Sequence, residues 1–345
     1  MKKNKQNIFL YSIIIITLLS LLILTCGGGG SSSGGGGELV LMGSGTIEEP
    51  FLIDSAAALQ YVGRNAETLS AYYKQEVDLD LDGVSWTPIG ATTSPFIGTY
   101  DGNNKRITNL QINTSASSQG LFGCIGLGGT VKNLGLEDVI IVGGDSVGGV
   151  VGYNSGTVEN CYATGSVTGS AYNVGGVVGD NRGTVRNCYA TSTVILTSSY
   201  NVGGVVGAND GTVENCYATG DVTGTEYVGG VVGRNIVYGI VRNCIAFNST
   251  VTSLSKKGRV IGYDPVSNTL SNNYARSDMA GLSITPSVSG IEGADIDDSD
   301  YYNTTWWTDT AKWSFGETDV WNAPSGTTLP TFKDMPAETQ APTVP

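Results

Sequence analysis

Residues 147–169 read VGGVVGYNSGTVENCYATGSVTG, and the chain keeps returning to that phrase. Its opening hexapeptide, Val147–Gly152, recurs at Val174–Gly179, Val202–Gly207 and Val228–Gly233, at spacings of 27, 28 and 26 residues. The second half, Gly156–Ala163, recurs at Gly183–Ala190, Gly211–Ala218 and Gly239–Ala246. Weaker copies at Ser118–Gly123 and Lys257–Gly262 flank these, so six units stand in tandem. The unit is rich in Val, Thr, Tyr and Asn, is punctuated by Gly and lacks the i, i+3, i+4 apolar period of a helix; it spells short strands joined by turns. So small a unit cannot bury both faces of its strands alone, so neighbours must stack. The expected fold is all-β, a single-stranded, right-handed parallel β-helix of about six or more coils.

Stacking places equivalent residues about 4.8 Å apart and turns the repeat into vertical files. Val131, Val158, Val185, Val213, Val241 and Leu270 form an apolar, inward file. Leu134, Cys161, Cys188, Cys216, Cys244 and Asn273 form a second, and Leu136, Ala163, Ala190, Ala218, Ala246 and Ala275 a third. Alternation by two points these inward and sends the residues between them outward. Tyr162, Tyr189, Tyr217 and Tyr274 are then an outward stripe, and the candidate surface contacts for a ligand. Asn133, Asn160, Asn187, Asn215, Asn243 and Asn272 recur without exception. Asn tolerates the left-handed conformation of tight turns and its amide can bond to the coils on either side, which predicts an asparagine ladder.

The cysteine file invites a disulfide reading, since stacked Cα atoms fall within the permitted range. In-register parallel strands, however, keep the Cβ atoms nearly as far apart as the Cα atoms. Reduced, buried thiols acting as small hydrophobes are expected at Cys161, Cys188, Cys216 and Cys244. A linear file cannot surround a metal tetrahedrally, and no cofactor is expected.

The 345 residues include 50 Gly and no His, with a formal net charge of −13. Without imidazole there can be no Ser-His-Asp or Cys-His nucleophile system and no His-ligated zinc. The acidic balance disfavours nucleic acid as a partner. Lys2, Lys3 and Lys5 precede an apolar run from Ile8 to Leu24, which reads as a signal peptide over residues 1–25. Cys26 resembles the lipobox cysteine of bacterial lipoproteins, with Thr25 standing where Gly or Ala is usual. Residues 26–37 then comprise the lipidation site and a Gly/Ser tether with a root-mean-square span of about 18 Å. The expected location is the outer membrane or cell surface, with the membrane as a partner through the lipid anchor.

With its flanks, the repeat resembles the GLUG-repeat family of bacterial surface proteins, large adhesins and the N-terminal parts of some immunoglobulin-A-cleaving proteases. Gly45–Asp54, Ala56–Gly63, Trp86–Gly90 and Phe96–Asn103 look like the opening module of such proteins. The resemblance implies a surface scaffold and carries no catalytic motif to transfer; the metal-binding histidines of the proteases are absent. Residues 38–117 are expected to form an N-terminal cap and first coils, with Asp54 or Ser55 capping a short helix over the open end. Residues 118–275 hold the repeat β-helix. Residues 276–334, with Trp306, Trp307, Trp313, Phe315 and Trp321, are read as an aromatic-rich distal cap, and 335–345 as a frayed tail.

Asp78, Asp80 and Asp82 followed by Gly83 look like the first half of a calcium loop, but position twelve is Ile89 rather than Glu. Alternation with Val77, Leu79 and Leu81 reads as a strand with one acidic face, and the acids at 295–300 as a solvated loop. A polysaccharide lyase or hydrolase is the enzymatic rival, since paired carboxylates need no His. The acids of the repeat fall mostly in different files; Glu159 and Glu214 share one with Arg186 and Arg242, an alternating surface charge. The expected role is non-catalytic: adhesion or macromolecular interaction with a glycan or a host or envelope protein, with a passive scaffold as the alternative.

Overall fold

The computed structural model describes residues 40–265, 270–279, 286–336 and 340–345. The residues read as a signal peptide, Cys26 and the Gly/Ser tether lie outside the described residues. The rest is an all-β parallel solenoid with one short helix, Ala56–Tyr61, and one π-helical turn, Trp306–Thr310.

Register pairing shows why the repeat folds this way. Strand Thr157–Gly169 pairs in parallel with Thr130–Gly143 on one side and with Thr184–Arg186, Tyr189–Ala190 and Thr193–Leu196 on the other. Each residue meets its equivalent, so Val158 contacts Val131 and Val185. The file continues unbroken through Phe51, Tyr73, Tyr100, Val131, Val158, Val185, Val213, Val241 and Leu270. The opening module is therefore the same solenoid, with Tyr73, Phe96, Tyr100 and Phe122 filling the interior that Val, Cys and Ala fill later. Ser55 caps the helix, its Oγ accepting from the Ala58 amide at 3.2 Å, and buried Ala58, Leu59 and Val62 close the first coil.

Two smaller parallel sheets complete each coil. One holds the first two residues of the VGGVVG phrase, the other its last two and the residues after them. The second glycine of the phrase is fixed by close approach rather than by dihedral freedom. A Cβ on Gly176 would lie 2.2 Å from the Gly204 carbonyl oxygen of the next coil. The asparagines do need the left-handed region: φ is between 51° and 54° at Asn133, Asn160, Asn187, Asn215, Asn243 and Asn272. Their amides run in one chain, Asn160 donating to Asn133 at 2.8 Å, Asn187 to Asn160 at 3.1 Å and Asn215 to Asn187 at 3.1 Å, on to Asn243 and Asn272.

A second ladder, not read from the sequence, runs wholly buried through Asn154, Asn181, Asn209 and Asn235, each amide donating to the next at 2.8 Å. Each member from Asn154 to Asn209 also accepts from a backbone amide two residues on, closing the turn into the next strand.

The distal end is closed by Arg259 and residues 286–296, not by the tryptophans. Arg259 stands where the earlier coils have Gly149, Gly176, Gly204 and Gly230. Among the described residues no further coil repeats beyond it, and the side chain is accommodated, fully buried. Its Nε donates to the Glu292 carbonyl at 3.1 Å, Nη1 to Asp295 at 2.6 Å and to the Arg276 carbonyl at 3.1 Å, and Nη2 to the Gly293 carbonyl at 3.0 Å. Asp295 is thus an ion-pair partner, not part of a free acidic loop. The Val260 and Ile261 amides bond to the Ile291 carbonyl, so this segment supplies the missing partners of the last edge.

The aromatic-rich segment instead lies along the flank of the solenoid. Trp307, Trp313, Trp321 and Phe332 form a second apolar cluster with Tyr162, Tyr189, Tyr217 and Tyr274. The stretch expected to fray is held as well: Met335 and Gln340 are buried, and Arg276 Nη1 donates to the Pro345 carbonyl at 2.8 Å. Their physical reason is the outward tyrosine file, whose area is worth burying, whereas the solenoid end is already covered.

Candidate functional site

The tyrosines expected to meet a ligand do point out of the coil, yet they are not a surface. Tyr162, Tyr189 and Tyr217 stack with ring centroids 4.9 Å apart and planes 2° from parallel. Phe332 packs over Tyr162 and Tyr189, Trp321 over Tyr189 and Tyr217, and Trp313 over Tyr217, leaving Tyr189 only 1% exposed. Their hydroxyls are used internally: Tyr217 donates to the Pro330 carbonyl at 2.7 Å, Tyr274 to that of Thr310 at 3.2 Å, and Tyr162 to Glu137. Burial pushes the Tyr189 and Tyr217 phenols well above their ordinary value. Outward direction was readable from alternation; the segment that covers it lies roughly 100–170 residues away in sequence and shares no pattern with the repeat.

A different set of tyrosines reaches solvent. Tyr172 (40% exposed) and Tyr200 (36%), with half-buried Tyr227 and Tyr263, come from successive coils and touch in order, with ring centroids 4.7, 5.8 and 4.6 Å apart. Tyr172 and Tyr200 precede the VGGVVG phrase by two residues, in SAYNV and SSYNV; that short recurrence was the available signal. The residue just before the phrase is left-handed at Ser146, Asn173, Asn201 and Tyr227, where φ is 57°, 57°, 78° and 55°. Ser and Asn carry that conformation with small polar side chains, whereas Tyr227 holds a bulky ring in it, a strained placement of the kind that clusters at functional sites.

Cations lie on these rings. Lys256 Nζ is 4.1 Å from the Tyr263 centroid and 5.3 Å from that of Tyr227, and the Arg234 guanidinium lies 6.0 Å from Tyr263 and 5.7 Å from Tyr227. Arg182 covers Tyr153 at 5.3 Å. Pairing places Tyr153, Asp180, Ala208, Arg234 and Tyr263 in one file beside the tyrosines. Asp180 is largely buried there, and loss of solvation pushes its carboxyl from 3.8 up to about 6, Arg182 opposing and Asp145 and Asp210 reinforcing. The buried Nε of Arg234 has no hydrogen-bond partner. The face offers ring edges, phenol hydroxyls and guanidinium donors at coil spacing, a pattern suited to stacking and hydrogen bonding with an extended partner.

The alternating charge is longer than the two acids and two arginines suggested. One paired file runs Lys74, Asp101, Lys132, Glu159, Arg186, Glu214 and Arg242. Arg186 donates to Glu159 and Arg242 to Glu214, each at 2.6 Å. These charges serve one another across the strands.

The possible calcium loop is otherwise engaged. Asp78 pairs with Arg106 at 3.0 Å, and Asp80 accepts from the Asp82 amide at 3.0 Å and from Asn109 at 2.8 Å. Among the described residues no group of three or more Cys, Asp or Glu side chains is placed to hold a metal ion. Cys161, Cys188, Cys216 and Cys244 are unpaired and buried, each thiol donating at 3.2 Å to the carbonyl two residues earlier. Burial pushes the Cys161 and Cys216 thiols well above their ordinary value.

Comparison with known proteins agrees with this architecture. The family model described as the GLUG motif matches residues 143–168, 170–195, 198–223 and 224–252. Halomucin of Haloquadratum walsbyi is 38% identical over 138 residues, covering 37% of this chain and 2% of that protein. A protein of Evansella cellulosilytica named as a Gly-rich membrane protein is 42% identical over 128 residues, 34% of this chain and 15% of its own length. The chain thus spans a small part of these relatives. Among solved structures, one designated an immunoglobulin A1 protease of Bacteroides ovatus superposes with a TM-score of 0.68 at 21% identity, covering 85% of this chain and 95% of the other. A second, named IgA1 protease, gives 0.50 at 17% identity over 72% of this chain and 23% of its own. These two likenesses concern the fold. Four tandem copies of the GLUG motif are thus set in one continuous parallel solenoid.

Proposed function

We propose that this protein is a non-catalytic envelope protein whose solenoid presents the face of Tyr172, Tyr200, Tyr227 and Tyr263 to a macromolecular partner, a glycan or an envelope or host protein. The single observation that carries the reading is the run of touching rings, one per coil, exposed at Tyr172 and Tyr200 and carrying Lys256 and Arg234 on half-buried Tyr227 and Tyr263. Exposed aromatic rings with arginine beside them are the groups on which binding energy concentrates. The absence of His from the sequence removes the histidine-based reactions from consideration. Export, and lipid attachment at Cys26 to the outer membrane or cell surface, belong to the same proposal, supported by the basic-apolar N-terminus and by a relative named as a membrane protein.

Arrays of glycans and of envelope and matrix proteins, probed with the purified chain and with a Tyr172→Ser, Tyr200→Ser, Tyr263→Ser variant of unchanged melting temperature, test the binding role. Retention by the parent and loss by the variant supports recognition. Binding to nothing supports a passive spacer, and release of reducing ends or unsaturated sugars from polysaccharides would make it an enzyme. Fatty-acid labelling that survives Cys26→Ser would remove the anchor from the proposal.

A further inference from the structure

The C-terminal stretch also encloses a space. Gln340 is tied to Phe332, accepting from its amide at 2.7 Å and donating to its carbonyl at 3.0 Å, while the Pro345 carbonyl is held by Arg276 at 2.8 Å. Between these anchors the Pro342 carbonyl accepts from the Leu329 amide at 2.9 Å. Residues 341–345 thereby form an arch beside the outward threonines, and a cleft of about 440 Å³ remains between arch and solenoid.

Its floor has one chemistry. Thr191, Thr193 and Thr219 line it, with Asp221 and Ser249 alongside. The hydroxyls of Thr191, Thr193 and Thr219 make no hydrogen bond to protein among the described residues. Asp221 is locked in place, Oδ1 accepting from Ser249 Oγ at 2.9 Å, Thr250 Oγ1 at 2.8 Å and the Thr250 amide at 3.2 Å. Oδ2 has no protein partner among the described residues. One coil further on, Phe247 takes the place of Thr219, so the hydroxyl file ends within the cleft.

Among the described residues no cationic side chain lines this space, so a phosphate or carboxylate ligand would find no counter-charge there. A single carboxylate is too few for a cation. Hydroxyls both donate and accept, and a fixed carboxylate oxygen accepts only; that set matches a neutral polyol. The volume lies within the range of about 300–1,000 Å³ usual for small-molecule sites. We propose that the cleft binds a neutral sugar of one or two rings, read by the hydroxyls of Thr191, Thr193 and Thr219 and the free oxygen of Asp221. The site is separate from the exposed tyrosine face and does not depend on it.

Calorimetric titration of the full chain, in a detergent without a sugar head group, with maltose, cellobiose, lactose and diacetylchitobiose tests this. At least one should bind saturably. Thr191→Val combined with Thr219→Val keeps the shape of the floor and removes two hydroxyls; it should weaken binding tenfold or more, while Tyr172→Ser should not change it. If the double variant fails to fold, Thr193→Val and Asp221→Asn make the same comparison. No binding of any of the four sugars, unchanged affinity in the hydroxyl variants, or loss confined to Tyr172→Ser would each overturn the assignment.

Discussion

Asn187 serves twice: it holds a left-handed turn at φ 51° and passes a hydrogen bond on each side, to Asn160 and from Asn215. A residue with a Cβ pays about 1–2 kcal/mol for that conformation, Asn least among them, and each net hydrogen bond is worth about 1 kcal/mol. Asn187→Ala should therefore cost about 2–4 kcal/mol in denaturant unfolding, and Asn187→Gly less, because Gly loses the amide bonds but not the turn. The usual preference for Ala over Gly would be reversed. Asp180 tests the electrostatics of the tyrosine face. Its folded value of about 6 stands above the ordinary 3.8, so the carboxyl favours folding only when protonated. That contribution is complete below about 4 and is lost as pH rises through about 6. Asp180→Asn should raise stability by up to about 3 kcal/mol at pH 7.5 and change it little at pH 3.5, read from melts at both. Equal effects at the two pH values would reject the burial argument. The asparagine turns were legible because one residue type recurs at each; strain at Tyr227 was not, because nothing in a single tyrosine announces its φ.

At the scale of the element, the same position serves two opposite uses. Within the stack it must be Gly, and Gly176→Ala would set a methyl 2.2 Å from the Gly204 carbonyl oxygen, so the coils must part. At the end it is Arg259, which closes the edge with its guanidinium. Arg259→Met should destabilise the distal coils by about 3–5 kcal/mol, since it leaves Asp295 and three carbonyls without their donor. Faster hydrogen exchange in residues 257–276 than in residues 147–169 would show it; uniform exchange would contradict the capping role. The phrase KGRVIG was readable as a degenerate repeat, and its one large substitution marked the end of the stack. That meaning needs the three-dimensional neighbour, which the repeat period alone does not supply.

For the whole molecule, parallel stacking was readable from period and alternation, because in-register files make every coil repeat the same chemical decision. The flank was not. Covering Tyr162, Tyr189 and Tyr217 needs an apolar segment from outside the repeat, and tryptophans at 306–321 suit an end as well as a side. Two sets of tyrosines thus share one scaffold, the file inside the repeated NCYA phrase sheathed by the chain's own C-terminal part and a row flanking the VGGVVG phrase that reaches solvent at Tyr172 and Tyr200. The account rests on that row acting as one continuous surface, and a surface plasmon resonance series on a captured partner tests that most directly. The parent, Tyr200→Ser, and Tyr172→Ser with Tyr200→Ser and Tyr263→Ser should lose affinity in steps, each ring worth severalfold, with melting temperatures unchanged. Affinity that is indifferent to all three substitutions would contradict it.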